Sequence, residues 1–149
     1  FLSSDPPGSD EIMKAEDYIK RLLKKEAGFL VGRKDYVPVG VGGTVTSAAT
    51  LLAGQKKYNP DLVHHSFIEI NELTGLIGKL REINIKELKK LMPFDPDRAD
   101  VIVGGLLILR GFMTYFGFSR VKVSVNNIIH GVFYKSFMEP FYEKQKKKF

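Results

Sequence analysis

Residues 101–109 read Val-Ile-Val-Gly-Gly-Leu-Leu-Ile-Leu, with no polar side chain on any side. A helix built from them has no face to give to water, so it should lie at the centre of a packed structure. The run ends at Arg110 and is far shorter than the roughly 20 apolar residues that cross a bilayer. Just upstream, Asp95-Pro96-Asp97 is a helix-start signal: a cap, then proline at the first helical position, then an acid. The pattern predicts a helix over 96–116, closed by Gly117. Gly104 and Gly105 each cost about 1 kcal/mol against alanine inside a helix, so close backbone packing is the expected reason for them.

The rest of the chain arranges itself around that helix. After a turn at 4–9, Ser9 is the expected N-cap of an amphipathic helix over 9–25, with Asp10 and Glu11 in its first turn and Gly28 at its end. Residues 36–41, Tyr-Val-Pro-Val-Gly-Val, form a β-prone run that is apolar on both parities, so both faces should be covered. Pro38 pushes that strand to a sheet edge or an irregular start. Gly42-Gly43-Thr44 then turns into a helix over 45–53. A polar connection at 55–60 leads to two amphipathic helices over 71–80 and 85–92. A second strand is expected over 121–125, and a last helix over 128–147, bent at Pro140. Two strands do not make a self-sufficient sheet, so further strands are expected ahead of residue 1.

Composition narrows the function classes. The chain has 149 residues, enough for one domain, and no cysteine, which excludes disulfides and thiolate metal sites. That is the pattern of a reducing cytoplasm. The formal charge is +6, concentrated in a tail with lysines at 144, 146, 147 and 148, and it favours anionic partners in general. The aromatics near the tail form no RNA-binding motif, and a solvated helix end explains the lysines better than nucleic acid or membrane. The first residues lack a basic start and an apolar core, so no signal peptide is read. The chain does not begin with Met, and we read it as a piece of a longer polypeptide.

Five stretches taken together carry a family resemblance: 1–7 (Phe-Leu-Ser-Ser-Asp-Pro-Pro), 39–46 (Val-Gly-Val-Gly-Gly-Thr-Val-Thr), 58–64 (Tyr-Asn-Pro-Asp-Leu-Val-His), 96–102 with Gly104-Gly105, and 121–124 leading to Gly131. In order and spacing the chain resembles the exopolyphosphatase / guanosine pentaphosphate phosphohydrolase (Ppx/GppA) phosphatase family. The resemblance implies a helix-rich α/β fold, part of a ribonuclease-H-like domain of the actin-like ATPase superfold. Residues 1–126 would be the latter part of the second such domain, lacking its first strands. Residues 127–149 would be a C-terminal helix returning to a first domain outside this chain. The family's catalytic glutamate is expected in that first domain, so no catalytic residue and no metal ligand is assigned here. There are departures. Asn127-Ile128-Ile129-His130-Gly131 stands where the family has Gly-Leu-Arg-Glu-Gly, Lys86-Glu87-Leu88 replaces Glu-Glu-Arg, and the following turn reads Pro93-Phe94-Asp95.

The implied activity of the longer protein is release of terminal phosphate from inorganic polyphosphate, or conversion of guanosine pentaphosphate to tetraphosphate, with Mg²⁺ shielding the phosphates. This chain alone should be inactive. Its partners would be those phosphate-rich molecules, the first domain, and in one arrangement a second copy as a homodimer. The substrate-binding candidates are Gly42, Gly43, Thr44 and Arg98. Glycines admit close approach of backbone N–H groups to phosphate at a helix N-terminus, and Thr44 would cap the helix or bond a ligand. Arg98, in the first turn of the central helix, opposes the dipole there. It reads either as a phosphate grip or as an ion-pair partner of Asp97, Asp100 or another carboxylate. His64-His65 and His130 lack metal-ligand spacing and read as loop or packing histidines. Asp95, Asp97 and Asp100 read as helix caps rather than paired catalytic acids. Other readings are a non-catalytic domain that senses nucleotide or polyphosphate, and an ATPase or kinase of the same superfold.

Overall fold

The computed structural model describes residues 1–31 and 36–139. Its frame is a small three-stranded sheet of β1 (Val39–Val41), β3 (Arg120–Ser124) and β2 (Phe67–Glu69), in the order β1-β3-β2. β1 runs parallel to β3 with Gly40 opposite Val123, and β2 runs antiparallel with Ile68 opposite Val121. The third strand corrects the expectation of two. β2 is three residues long and runs straight into the next helix, too short for an alternating pattern to show.

One sheet face is covered by helices and the other is open. Ile68, Val121 and Val123 are buried, while Val39, Val41 and Phe67 are exposed. Opposite parities of the same strands account for this. The reading that both faces of residues 36–41 are covered therefore fails among the described residues. On the open face the Arg120 guanidinium lies 4.5 Å above the Phe67 ring.

Seven helices complete the described chain: α1 (Ser9–Ala27), α2 (Gly43–Leu52), α3 (Pro60–Val63), α4 (Ile70–Leu80), α5 (Ile85–Leu91), α6 (Ile102–Phe116) and α7 (Ile128–Phe133), which continues as a π-helical turn over Tyr134–Met138. The predicted extension of the last helix to 147, its bend at Pro140 and the lysine tail lie outside the described residues. α2 rests on the sheet, and α6 packs against α1, α2 and α4. α6 supplies Ile102, Val103, Leu106, Leu107 and Met113 to the core, each contributing about 1.5–3 kcal/mol on burial. Its burial is not complete all round, however. Val101 and Ile108 are exposed, Ile108 at an apolar hollow that it shares with Ala15, Ile19 and Leu22 of α1.

Three element starts differ from expectation for local reasons. Asp95-Pro96-Asp97 opens a 3-10 turn over Pro96–Arg98 rather than α6, which begins at Ile102. α1 is capped at Gly8 rather than Ser9. The Glu11 carboxylate reaches back to accept from the Ser3 hydroxyl and from the N–H groups of Ser3, Gly8 and Ser4, and those bonds, the Ser3 hydroxyl first, hold its pKa down to about 2. α2 starts at Gly43, two residues before the expected 45. Gly117 does close α6 in the left-handed conformation, φ 74°, as glycine allows.

The two neighbouring glycines of α6 serve different ends. A Cβ at Gly105 would lie 2.7 Å from Thr44 Cγ2 and 2.9 Å from its Oγ1, whereas one at Gly104 would make an ordinary 3.7 Å contact with Leu2. Gly105 is thus where α2 closes on α6. Gly105→Ala should destabilise the protein by about 1–3 kcal/mol, while Gly104→Ala should be neutral or stabilising by up to about 1 kcal/mol. Urea unfolding of the two variants checks this, and equal losses would remove the distinction.

Candidate functional site

The strand-to-helix bend at Gly42-Gly43 forms the floor of an open cleft of about 290 Å³. Gly42 has φ 90° and ψ 171°, a conformation essentially restricted to glycine. This lets the chain leave β1 and enter α2 without a loop. Gly40 allows the same unit to pack tightly, since a Cβ there would lie 2.9 Å from Val45 Cγ1. The N–H groups of Gly43, Thr44 and Val45 have no partner within the helix. The first intrahelical bond in this turn runs from Thr46 N to Gly42 O at 3.1 Å. The Thr46 hydroxyl donates back to the carbonyls of Gly42 and Gly43 at 3.3 and 3.2 Å and so braces the bend.

Arg98 lies against this bend. A Cβ on Gly43 would fall 2.2 Å from Arg98 Cζ and Nη2, so the guanidinium occupies the space that any other residue would fill. Arg98 Nε donates to Asp95 Oδ2 at 2.7 Å, and Ser47 Oγ lies 3.5 Å from the same oxygen. The ion-pair partner is therefore Asp95, not Asp97 or Asp100. Because Arg98 ends the 3-10 turn and does not open α6, the expected conflict with a helix dipole disappears. The pair is about one-third exposed on each side and uses one guanidinium N–H, leaving four donors.

The four sequence candidates divide two and two. Gly42 and Gly43 line the cleft, while Arg98 is not a lining residue but packs against Gly43 and pairs with Asp95. Thr44 points to Gly105 of α6 and is not a lining residue. Nor does it cap α2, whose N-cap is Gly42. The remaining lining residues are Thr46, Ser47, Tyr58, Phe94, Asp95, Val125 and Asn127, none of which was singled out for a ligand. Asp95 was legible only as a cap, and the others come from separate elements with no shared spacing.

The histidines support this wall from behind. Val125 N–H donates to His64 Nδ1 at 3.3 Å, and the His64 and His65 rings stack at 3.7 Å. His65 takes a positive φ of 67° and donates its own N–H to Val123 O at 2.8 Å. Desolvation, followed by the nearby charges of His64 and Lys122, pushes the His65 imidazole pKa down. His130 closes onto Asn127 at the start of α7. Among the described residues no group of three or more His, Cys, Asp or Glu is placed to hold a metal, and no helix is long and apolar enough to cross a membrane.

A bend that leaves N–H groups free at an open helix N-terminus, with a guanidinium packed against it, offers the kind of donors an anion would use. Comparison with known proteins makes the class specific: the model of the Ppx/GppA phosphatase family matches residues 1–139, and the chain belongs to that family. The structure of the Aquifex aeolicus Ppx/GppA phosphatase, type II variant, superposes with a TM-score of 0.83 at 25% identity, covering 92% of this chain and 44% of that one. The fold is accordingly the helix-rich α/β fold of the actin-like ATPase superfold. Exopolyphosphatase 2 of Mycobacterium tuberculosis is 27% identical over 88% of this chain and 42% of its own length. A bifunctional 3-dehydroquinate synthase/phosphatase of Fusobacterium nucleatum is 34% identical over 80% of this chain and 17% of its own. The chain thus spans less than half the length of these relatives.

The contact between Gly43 and Arg98 makes a distinctive prediction. Gly43→Ala and Arg98→Ala each remove the same arrangement, so in a double-mutant cycle their costs should fall short of additivity by about 0.5–1 kcal/mol. Urea unfolding of the wild type, both single variants and the double variant measures this. Strict additivity would mean that the guanidinium does not rest on Gly43 in solution.

Proposed function

We propose that this chain is one wall of the substrate cleft of a phosphoanhydride hydrolase that releases terminal phosphate from inorganic polyphosphate or from guanosine pentaphosphate. The observation that carries the reading is the Arg98 guanidinium packed on Gly43, beside unpartnered N–H groups at the open N-terminus of α2. An anion there meets fixed donors that need no reorganisation when charge builds up on a transferring phosphoryl group. The resemblance of the chain to a protein named exopolyphosphatase supports polyphosphate as substrate.

In this reading Gly42 and Gly43 supply backbone donors and Arg98 supplies charge, with Asp95 setting the plane of the guanidinium. Thr44 acts indirectly, by seating α2 on Gly105. The chemistry comes from a first domain carried by the longer polypeptide, where a carboxylate activates water. That domain also explains the apolar surfaces left open here, Val39 and Val41 on the sheet and Ile128, Ile129, Phe133 and Phe137 along α7 and its π-helical turn. Residues 1–126 then form the latter part of the second domain, and the helix from 127 onward returns to the first.

The described residues do not themselves build a Mg²⁺ site. Asp95 is the only carboxylate lining the cleft, and it is already engaged by Arg98. Mg²⁺ would therefore be held by substrate phosphates and by residues outside this chain. The open face of the cleft, which requires material from elsewhere, favours the hydrolase over a self-contained sensing domain.

The test is phosphate release by the full-length protein. Arg98→Ala should raise KM for polyphosphate by about 10-fold or more, the scale of a lost charged hydrogen bond, with much less effect on thermal stability. The 149-residue chain alone should release no phosphate. A fall in stability matching the fall in binding would reduce Arg98 to a structural ion pair, and turnover by the isolated chain would overturn the placement of the chemistry.

A further inference from the structure

Away from this cleft, the seam between α1 and α6 opens into a groove of about 490 Å³ lined by Glu16, Lys20, Leu107, Arg110, Thr114 and Tyr115, with Gly111 in its floor. Gly111 sets how closely the helices meet, since a Cβ there would lie 2.6 Å from Ile19 Cγ2. Glu16 pairs with Arg110, and both also line an adjoining hollow of about 340 Å³ that reaches Arg81, just past the end of α4.

We infer that this groove is a second binding site, for a small phosphate-bearing molecule, independent of the cleft at Gly42-Gly43. The charge balance favours an anion: Lys20 and Arg110 face one carboxylate, Glu16, in the groove, and no ion-pair partner of Lys20 occurs among the described residues. The Arg110 side chain is 22% exposed. Burial pushes its pKa down, so its charge is thinly hydrated and gains most from a new anionic partner. A guanidinium has five N–H donors, of which the Glu16 contact uses Nη2. No buried side-chain nitrogen or oxygen among the described residues lacks a partner, so the unused donors of Arg110 are accessible from the groove or the adjoining hollow, both of which Arg110 lines.

A purely structural clasp between α1 and α6 would need only Glu16 and Arg110 in a sealed seam. Here the groove continues for a turn along both helices, from 16 to 20 and from 110 to 114, and ends in one ammonium and two hydroxyls. An entering phosphate would share Arg110 with Glu16, or displace it, and be completed by Lys20 and Thr114.

The experiment is an amide NMR titration of the protein with inorganic pyrophosphate at physiological salt. Saturable shifts are expected at Lys20 and over 110–115. Lys20→Ala should weaken them about 10-fold and Thr114→Val about 5-fold, with both variants melting as the wild type does. Arg110→Lys, which keeps the charge but not the fork, should also weaken binding. The inference fails if shifts are confined to 42–46, if they do not saturate, or if Lys20→Ala and Thr114→Val leave them unchanged. Because the readout separates the two regions, failure here leaves the reading of the cleft untouched.

Discussion

The close approach of α2 to its surroundings at two positions without side chains governs the rest of the structure. At Gly105 the seat of Thr44 brings α2 onto α6, and at Gly43 the guanidinium of Arg98 takes the place of a Cβ. Together they fix the N-terminus of α2 against the turn that carries Asp95 and Arg98. Gly42 supplies the third condition, a backbone angle that lets β1 meet α2 directly. A residue larger than glycine at Gly42 or Gly105 would move the donors that the cleft presents, and at Gly43 it would displace the Arg98 guanidinium.

What the sequence made legible follows from how local each signal is. The strand, glycine bend and helix at 39–52 lie in one continuous stretch whose residue types dictate the conformation, so Gly42 and Gly43 could be singled out. Gly117 and the amphipathic α4 and α5 are equally local. β2 was invisible because Ile68 is its only buried residue and one buried residue makes no pattern. The start of α6 was misplaced because Asp95-Pro96 signals a helical turn without specifying whether it continues as α or 3-10.

The cleft was less legible for the same reason. Asp95, Tyr58 and Asn127 come together only through tertiary packing, and Asp95 and Asn127 already have local roles as caps. Asn127 caps α7 through Ile129 N, just as Asn59 and Asn84 cap α3 and α5. Burial was overestimated for Val39, Val41, Val101 and Ile108. An apolar residue records the need for a partner and not whether that partner lies within the same stretch of chain. Of the two readings of Arg98, phosphate grip or ion pair, the ion pair is present, with Asp95 three residues away across the 3-10 turn as its partner.

Membership of the Ppx/GppA family and coverage of less than half of its longer relatives give these open surfaces a common meaning in our reading: they mark where the remainder of the polypeptide packs. The central claim is that phosphate meets the backbone at the start of α2. Hydrogen–deuterium exchange of the full-length protein, with and without polyphosphate, tests it most directly. The account predicts slowed exchange over 43–46 when polyphosphate is added. Unchanged exchange there, with protection appearing elsewhere in the protein, would contradict it.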